Sequence, residues 1–174
     1  VFFFDNGDVI DGTGLSATAA DHADYVAPLL ATLPYDALNC GNHELYQLDF
    51  HGANPSARAC AVVGLNASGY VASWRGRYLT SNIEWAGSGG APVGERFAVV
   101  TGAAGRSLLV FGFLYDMEDH CDAVQVTKVE DAVRAEWFAA AVAAHASATA
   151  AIVVLAHMDN DDALVDVIVG AARD

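Results

Sequence analysis

The residues that could do chemistry sit in three short stretches. Asp5-Asn6-Gly7-Asp8 follows the apolar run Val1 to Phe4, Gly41-Asn42-His43-Glu44 follows Ala37-Leu38, and His157 follows the apolar run Ala150 to Ala156. Each places a polar group at the exit of an apolar segment. Asp8 offers a hard carboxylate that can bridge two cations, Asn42 a neutral carbonyl oxygen, and His157 an imidazole nitrogen; Mg, Mn, Fe and Zn all accept donors of these kinds. His43 suits another task. Beside a metal-bound Asn it can face a substrate, either stabilising charge that develops on a phosphoryl group or protonating the leaving oxygen. Glu44 is expected to fix this loop through hydrogen bonds. Singly, a turn Asp, a turn Asn and a hydrogen-bonded structural His explain these residues; their shared placement points to one metal-assisted phosphate site.

The elements that must position them follow from the hydrophobic pattern. In open α/β sheets the ligand crevice lies beyond the carboxyl ends of the strands, so residues from different strands can converge there. Val1 to Phe4 predicts a central strand buried on both faces, and Ser16 to Leu33 a helix with Tyr25, Leu29, Leu30 and Leu33 inward. Pro28 either begins the second half of that helix or kinks it. Ala37 to Cys40 predicts a second strand, so residues 1 to 40 form a right-handed βαβ unit with Asp8 and Asn42 at adjacent strand ends. A helix carrying Leu45, Tyr46 and Leu48 is expected after Glu44, then mixed helix and loop from His51 to Tyr70. Tyr78 to Ile83 predicts a strand, Phe97 to Thr101 with Ser107 to Phe113 a hairpin, and Gly87 to Gly94 a surface loop. Lys128 to Ala146 predicts one helix with Val129, Val133, Trp137 and Ala140 on one face. Ala150 to Ala156 predicts another buried strand and Asp161 to Ala172 a closing helix. Asp159-Asn160-Asp161-Asp162 lacks calcium-loop spacing and suits a helix cap. His22, His51, His120 and His145 lack a strand-end context and are expected to be surface or structural.

Composition narrows the function classes. The 174 residues suit a single domain, 54% of them are hydrophobic, and mean hydropathy is +0.30. No run approaches the roughly 20 apolar residues of a bilayer span. Eight basic against twenty-two acidic residues give a net charge of −14, which repels a nucleic-acid backbone. Cations placed between carboxylates and substrate would still permit phosphate binding. Residue 1 already lies in an apolar run, so the chain is expected to begin inside a fold. Asn66-Ala67-Ser68 is an N-glycosylation sequon in a Gly-bounded loop, mild support for an extracellular or vacuolar setting. Cys40, Cys60 and Cys121 lack CxxC spacing; one pair is open to bridging in an oxidising compartment, with Cys40 the better fit to a buried apolar site.

Gly7-Asp8, Gly41-Asn42-His43-Glu44 and His157 resemble, in order, the second, third and fourth motifs of the calcineurin-like metallophosphoesterases, the superfamily that includes the 5'-nucleotidases. The longer strings from Asp5 to Ser16, Gly41 to Tyr46 and Tyr78 to Asn82 look most like a 5'-nucleotidase-related branch known from fungi. The resemblance covers essentially the whole chain. It implies a four-layer αββα sandwich with two metals, incomplete at both ends: one domain, 1–174, lacking its first strand and its C-terminal portion. Asp8 would bridge the metals, Asn42 and His157 would each bind one, and His43 would contact the phosphate. Metal-activated water would then attack phosphorus in line. The substrate implied is a small phosphorylated molecule, with nucleotide monoesters leading. The family's Asp-x-His motif belongs upstream of Val1 and its His-x-His downstream of Asp174, so the chain by itself is expected to be inactive. Many nucleotidases carry an Asp three residues after the catalytic histidine; here that position is Tyr46. The alternative is a glycoprotein that keeps the fold in a structural or binding role.

Overall fold

The computed structural model describes residues 1–10, 26–46 and 60–173. Along them run β1 (Phe4–Asp5), α1 (Val26–Leu30), β2 (Ala37–Asn39), α2 (Ala61–Ala67), α3 (Tyr70–Ser73), β3 (Tyr78–Leu79), β4 (Ile83–Trp85), β5 (Phe97–Thr101), β6 (Ser107–Leu114), β7 (Val124–Val126), α4 (Val129–Arg134), α5 (Glu136–His145), β8 (Ala151–His157) and α6 (Ala163–Ala171).

Alternation along β6 explains how these elements stack. Successive strand side chains point to opposite faces. Leu109, Phe111 and Phe113 pack with Val129, Val133, Phe138, Ala141 and Ile168 of α4 to α6, whereas Val110 packs with Ala37, Leu79 and Leu155 between two sheets. One sheet is parallel, in the order β1-β2-β3; the other is β5-β6-β8, antiparallel at β5–β6 and parallel at β6–β8. Behind the parallel sheet, Leu38 and Tyr78 meet Ala27, Val62, Leu65 and Val71 of α1 to α3. The order is helices, sheet, sheet, helices: a four-layer αββα sandwich, with the antiparallel pair β4-β7 at its side. Gly112 lets the sheets close up, since a Cβ there would lie 2.5 Å from Asn39 Oδ1 and 2.7 Å from Leu79 Cβ.

Several elements depart from expectation. Val1 to Phe4 is not buried on both faces. Phe2 and Phe4 stack inward, but Val1 is 95% and Phe3 55% exposed; among the described residues β1 pairs with β2 alone. β8 is likewise paired on one edge, and of its residues only Leu155 is fully buried. The helix read over 16–33 is described from Val26, with Pro28 inside α1; its inward residues are Ala27 and Leu30, and Leu29 and Leu33 are exposed. Tyr25 and Leu48 lie outside the described residues, as do His22 and His51. After Glu44 only Leu45 and Tyr46 are described, in a turn, and the rest of the helix expected there lies outside the described residues.

The strand read over 78–83 is two strands. Thr80, Ser81 and Asn82 between them are fully buried, and Ser81 and Asn82 reach across to β6: Ser81 Oγ accepts from Gly112 N–H, and Asn82 Oδ1 accepts from Leu114 N–H. Polar side chains there add to the backbone bond from Ser81 N–H to Gly112 O. The single helix expected over 128–146 is also two, with Ala135 extended at φ −69°, ψ 146°. This break resets the helical phase, turning Phe138 and Ala141 to the core and leaving Ala140 exposed. Asn66 sits exposed in the last turn of α2 rather than in a loop. The hairpin, the Gly-rich surface loop and the closing helix stand as expected, and Asp162 Oδ1 caps α6 by accepting from Leu164 N–H. Cys60 and Cys121 form a disulfide; Cys40 is buried with its thiol free.

Candidate active site

Two loops at the carboxyl ends of β1 and β2 meet backbone to backbone. Gly7 and Asp8 are both left-handed, at φ 97° and 61°. That conformation suits Gly and is tolerated by Asp, and here it folds the chain back toward Gly41. A Cβ on Gly7 would strike Gly41 N, and one on Gly41 would strike the Asp8 carboxylate. Both glycines are therefore required by close approach.

Glu44 holds this junction. Its carboxylate is fully buried and accepts from three backbone N–H groups: Asp8 at 2.9 Å and Gly41 at 2.7 Å on Oε2, and Ile10 at 3.3 Å on Oε1. Burial raises its pKa above the ordinary 4.5, opposed by the N–H groups of Asp8 and Gly41 and assisted by the nearby Asp8 charge. Asp8 in turn accepts from His43 N–H at 2.9 Å on Oδ1, which leaves Oδ2 pointing away from the loop. The unusual backbone of Asp8 is thus fixed from both sides.

His157 ends β8 and faces this junction across the sandwich. Its Nδ1 lies 2.6 Å from Asn6 O, and a carbonyl only accepts, so Nδ1 is the donor and Nε2 is the nitrogen turned to the junction. Nε2 lies 3.2 Å from Asp8 Oδ2 and 2.8 Å from Asn42 Oδ1. Three electron-rich atoms from three strand ends therefore converge. With the ring neutral they have no hydrogen to share, and such a cluster fits a cation among them. Among the described residues no three His, Cys, Asp or Glu side chains form a metal-holding group; the third donor here is the Asn42 amide.

The structure thus brings together Asp8, Asn42 and His157, with Glu44 beneath them. His43 lies beside them, its ring edge-on to Tyr46 at 5.2 Å. Of the remaining described histidines, His120 Nδ1 is 3.1 Å from Cys121 O and His145 packs on Phe97. Four contributors were given no role at the site by sequence reading. Asn6 anchors His157 and donates from Nδ2 to Ala156 O. Asn39, a polar residue in an otherwise apolar strand, donates from Nδ2 to Phe113 O and Leu155 O and so ties the two sheets together beside the site. Tyr46 accepts from Asn42 Nδ2 at 2.8 Å. Tyr115 has its pKa pushed up to about 12, first by burial and then by the neighbouring Tyr46. A cavity of about 400 Å³ opens here, lined by Asn6, Asn42, Tyr115, His157, Met158 and Asp159, large enough for a small phosphorylated molecule.

No family model matches the chain. An uncharacterized protein of Schizosaccharomyces pombe is 34% identical over 138 residues, which is 77% of this chain and 21% of that protein. A protein of Arthroderma benhamiae named "Secreted protein" is 27% identical over 145 residues, covering 82% of this chain and 20% of that one. The chain spans about a fifth of the length of these curated relatives. Among solved structures, the crystal structure of 5'-nucleotidase from Candida albicans superposes on 99% of this chain and 30% of its own with a TM-score of 0.80, at 22% sequence identity.

Proposed function

From a chain whose fold is that of the 5'-nucleotidases, of metallophosphoesterase type, we propose the central part of a metal-dependent phosphoester hydrolase acting on phosphomonoesters, nucleotides first among them. The observation that carries this reading is the meeting of Asp8 Oδ2, Asn42 Oδ1 and His157 Nε2 at one point. Asp8 would bridge two metal ions, with Asn42 and His157 each holding one; Zn, Mn, Fe and Mg all suit these donors. When bound, such ions supply Lewis acidity and a stronger water nucleophile. The chain's own residues do the rest. Glu44 holds the Asp8 backbone, His43 N–H holds the Asp8 carboxylate, and Asn6 O orients the His157 ring. The His43 imidazole acts on the substrate, either stabilising phosphoryl charge or protonating the leaving oxygen.

Two metals need more donors than these three, so the rest of the site belongs to a longer polypeptide of which this is one domain. That the chain spans about a fifth of its curated relatives supports this. The disulfide supports an oxidising, secretory compartment, as does the printed name of the Arthroderma relative, and Asn66 is an exposed acceptor for a glycan. The second reading, a glycoprotein that keeps the fold in a structural or binding role, is favoured by one observation: three residues after His43, where many nucleotidases carry an Asp, Tyr46 meets the ring edge-on.

The test is elemental mass spectrometry on the full-length protein, with aryl phosphate hydrolysis assayed on the same sample. About two metal equivalents and chelator-sensitive hydrolysis are expected. No metal, and no hydrolysis after adding Mn or Zn, would establish the second reading. In the active protein, Asp8→Asn lowers metal content, whereas His43→Asn leaves it unchanged and lowers turnover roughly 100-fold or more. Equal metal loss in both variants contradicts this division of roles.

A further inference from the structure

We infer that Tyr46 is a positioning residue: its hydroxyl fixes which way round the Asn42 carboxamide lies, and so decides whether Asn42 offers an oxygen to the site. The inference rests on the metal reading above and adds to it a residue that holds no metal itself. A carboxamide has two ends of nearly equal shape and opposite chemistry, and only the oxygen end can ligate a cation. Here Nδ2 donates to Tyr46 Oη at 2.8 Å while Oδ1 lies 2.8 Å from His157 Nε2. The two contacts are on opposite ends of one planar group.

Local structure explains why Tyr46 reaches it. Asn42 O accepts from both Leu45 N–H and Tyr46 N–H, a single helical turn that puts positions 42 and 46 on one side. The Tyr46 ring is half-buried, packs on the core beneath the parallel sheet and meets His43 edge-on. Tyr115, on the segment that continues from β6, lines the same cavity as Asn42, and its N–H donates to His157 O. The amide is therefore oriented from a scaffold that also carries His43 and His157.

Removing the hydroxyl alone, with Tyr46→Phe, keeps the ring and its packing but leaves Nδ2 without its acceptor. The amide can then turn over and present N–H groups where an oxygen is needed. Asn42→Asp provides the control, because a carboxylate offers oxygen at either end and no longer depends on Tyr46. The experiment is titration of the full-length protein with Mn2+ and, separately, Zn2+, for wild type, both single variants and the double variant, with thermal unfolding followed in parallel in chelator. Tyr46→Phe should weaken metal binding by about 10- to 100-fold. In the Asn42→Asp background the same change should have no effect on binding. Wild-type affinity in Tyr46→Phe overturns the inference, and so does equal weakening in both backgrounds, which would mean general loosening of the loop. If neither metal binds to wild type or to Asn42→Asp, the metal reading itself fails and the inference goes with it.

Discussion

Around Phe111 four aromatic rings meet, those of Phe97, Phe113, Trp137 and Phe138, with centroids 4.8 to 6.4 Å away. Around Glu44 three backbone N–H groups meet one carboxylate. Both residues are fully buried, yet the forces holding them differ. Packing at Phe111 is non-directional and summed over many weak contacts, so its strength follows from area and volume. The Glu44 junction depends on direction, and each of its bonds fixes a backbone group that supports Asp8 or Gly41. The first region sets how stable the sandwich is, and the second sets where its ligand atoms sit.

The largest effect that would test this contrast is Phe111→Ala. Truncating a ring in a closed core costs up to about 5 kcal/mol, from lost transfer energy and the cavity left behind. Chemical denaturation of the metal-free protein should show that loss. A loss under about 1 kcal/mol would mean that this core has collapsed around the gap and is less tightly built than its contacts imply.

Next comes the disulfide, which belongs to the site end of the molecule. Cys121 N–H donates to Leu45 O, and Val62 N–H, two residues from Cys60, donates to Glu44 O. The Cys60–Cys121 link, closing a separation of 61 residues, thereby straps Glu44 and Leu45 from both sides. Replacing both cysteines with serine should cost roughly 4 kcal/mol by the chain-entropy relation. Hydrogen exchange discriminates further. Amides of Asp8, Gly41, Val62 and Cys121 should lose protection before those of β6, whereas a uniform loss across both regions would show that the strap has no local role.

Which parts of this were legible in the chain follows from the same contrast. Apolar runs ending in turns mark strand exits locally, so Asp8, Asn42 and His157 could be placed at neighbouring strand ends, and the αββα architecture could be named by resemblance. Features set by distant partners were not legible. Thr80-Ser81-Asn82 sits within an apolar stretch, and only contact with β6 shows that it leaves the ladder. Ala135 carries no helix-breaking signal of its own; the break follows from seating Phe138 on Phe111. Tyr46 was visible as a departure at a family position, but its partner Asn42 emerged only once the turn was seen.

The smallest expected effect on stability sharpens the contrast most, because it separates a buried charge from buried area. Burial raises the Glu44 pKa above 4.5, so the folded state holds its proton more tightly than the unfolded chain does. The stability this contributes is fully present below about pH 4.5 and is lost as pH rises through the raised folded value. Wild-type protein in chelator should therefore lose stability across that window. Glu44→Gln carries no proton to lose, so that decline should vanish from its denaturation profile. Its single carbonyl oxygen can still face Asp8 N–H and Gly41 N–H, while its amide end meets Ile10 N–H, a lost bond costing about 1 kcal/mol at every pH. Parallel pH profiles for the two proteins would mean that the Glu44 charge is balanced by its three donors. A loss approaching that of Phe111→Ala would mean that the junction holds the whole fold together and not the site alone.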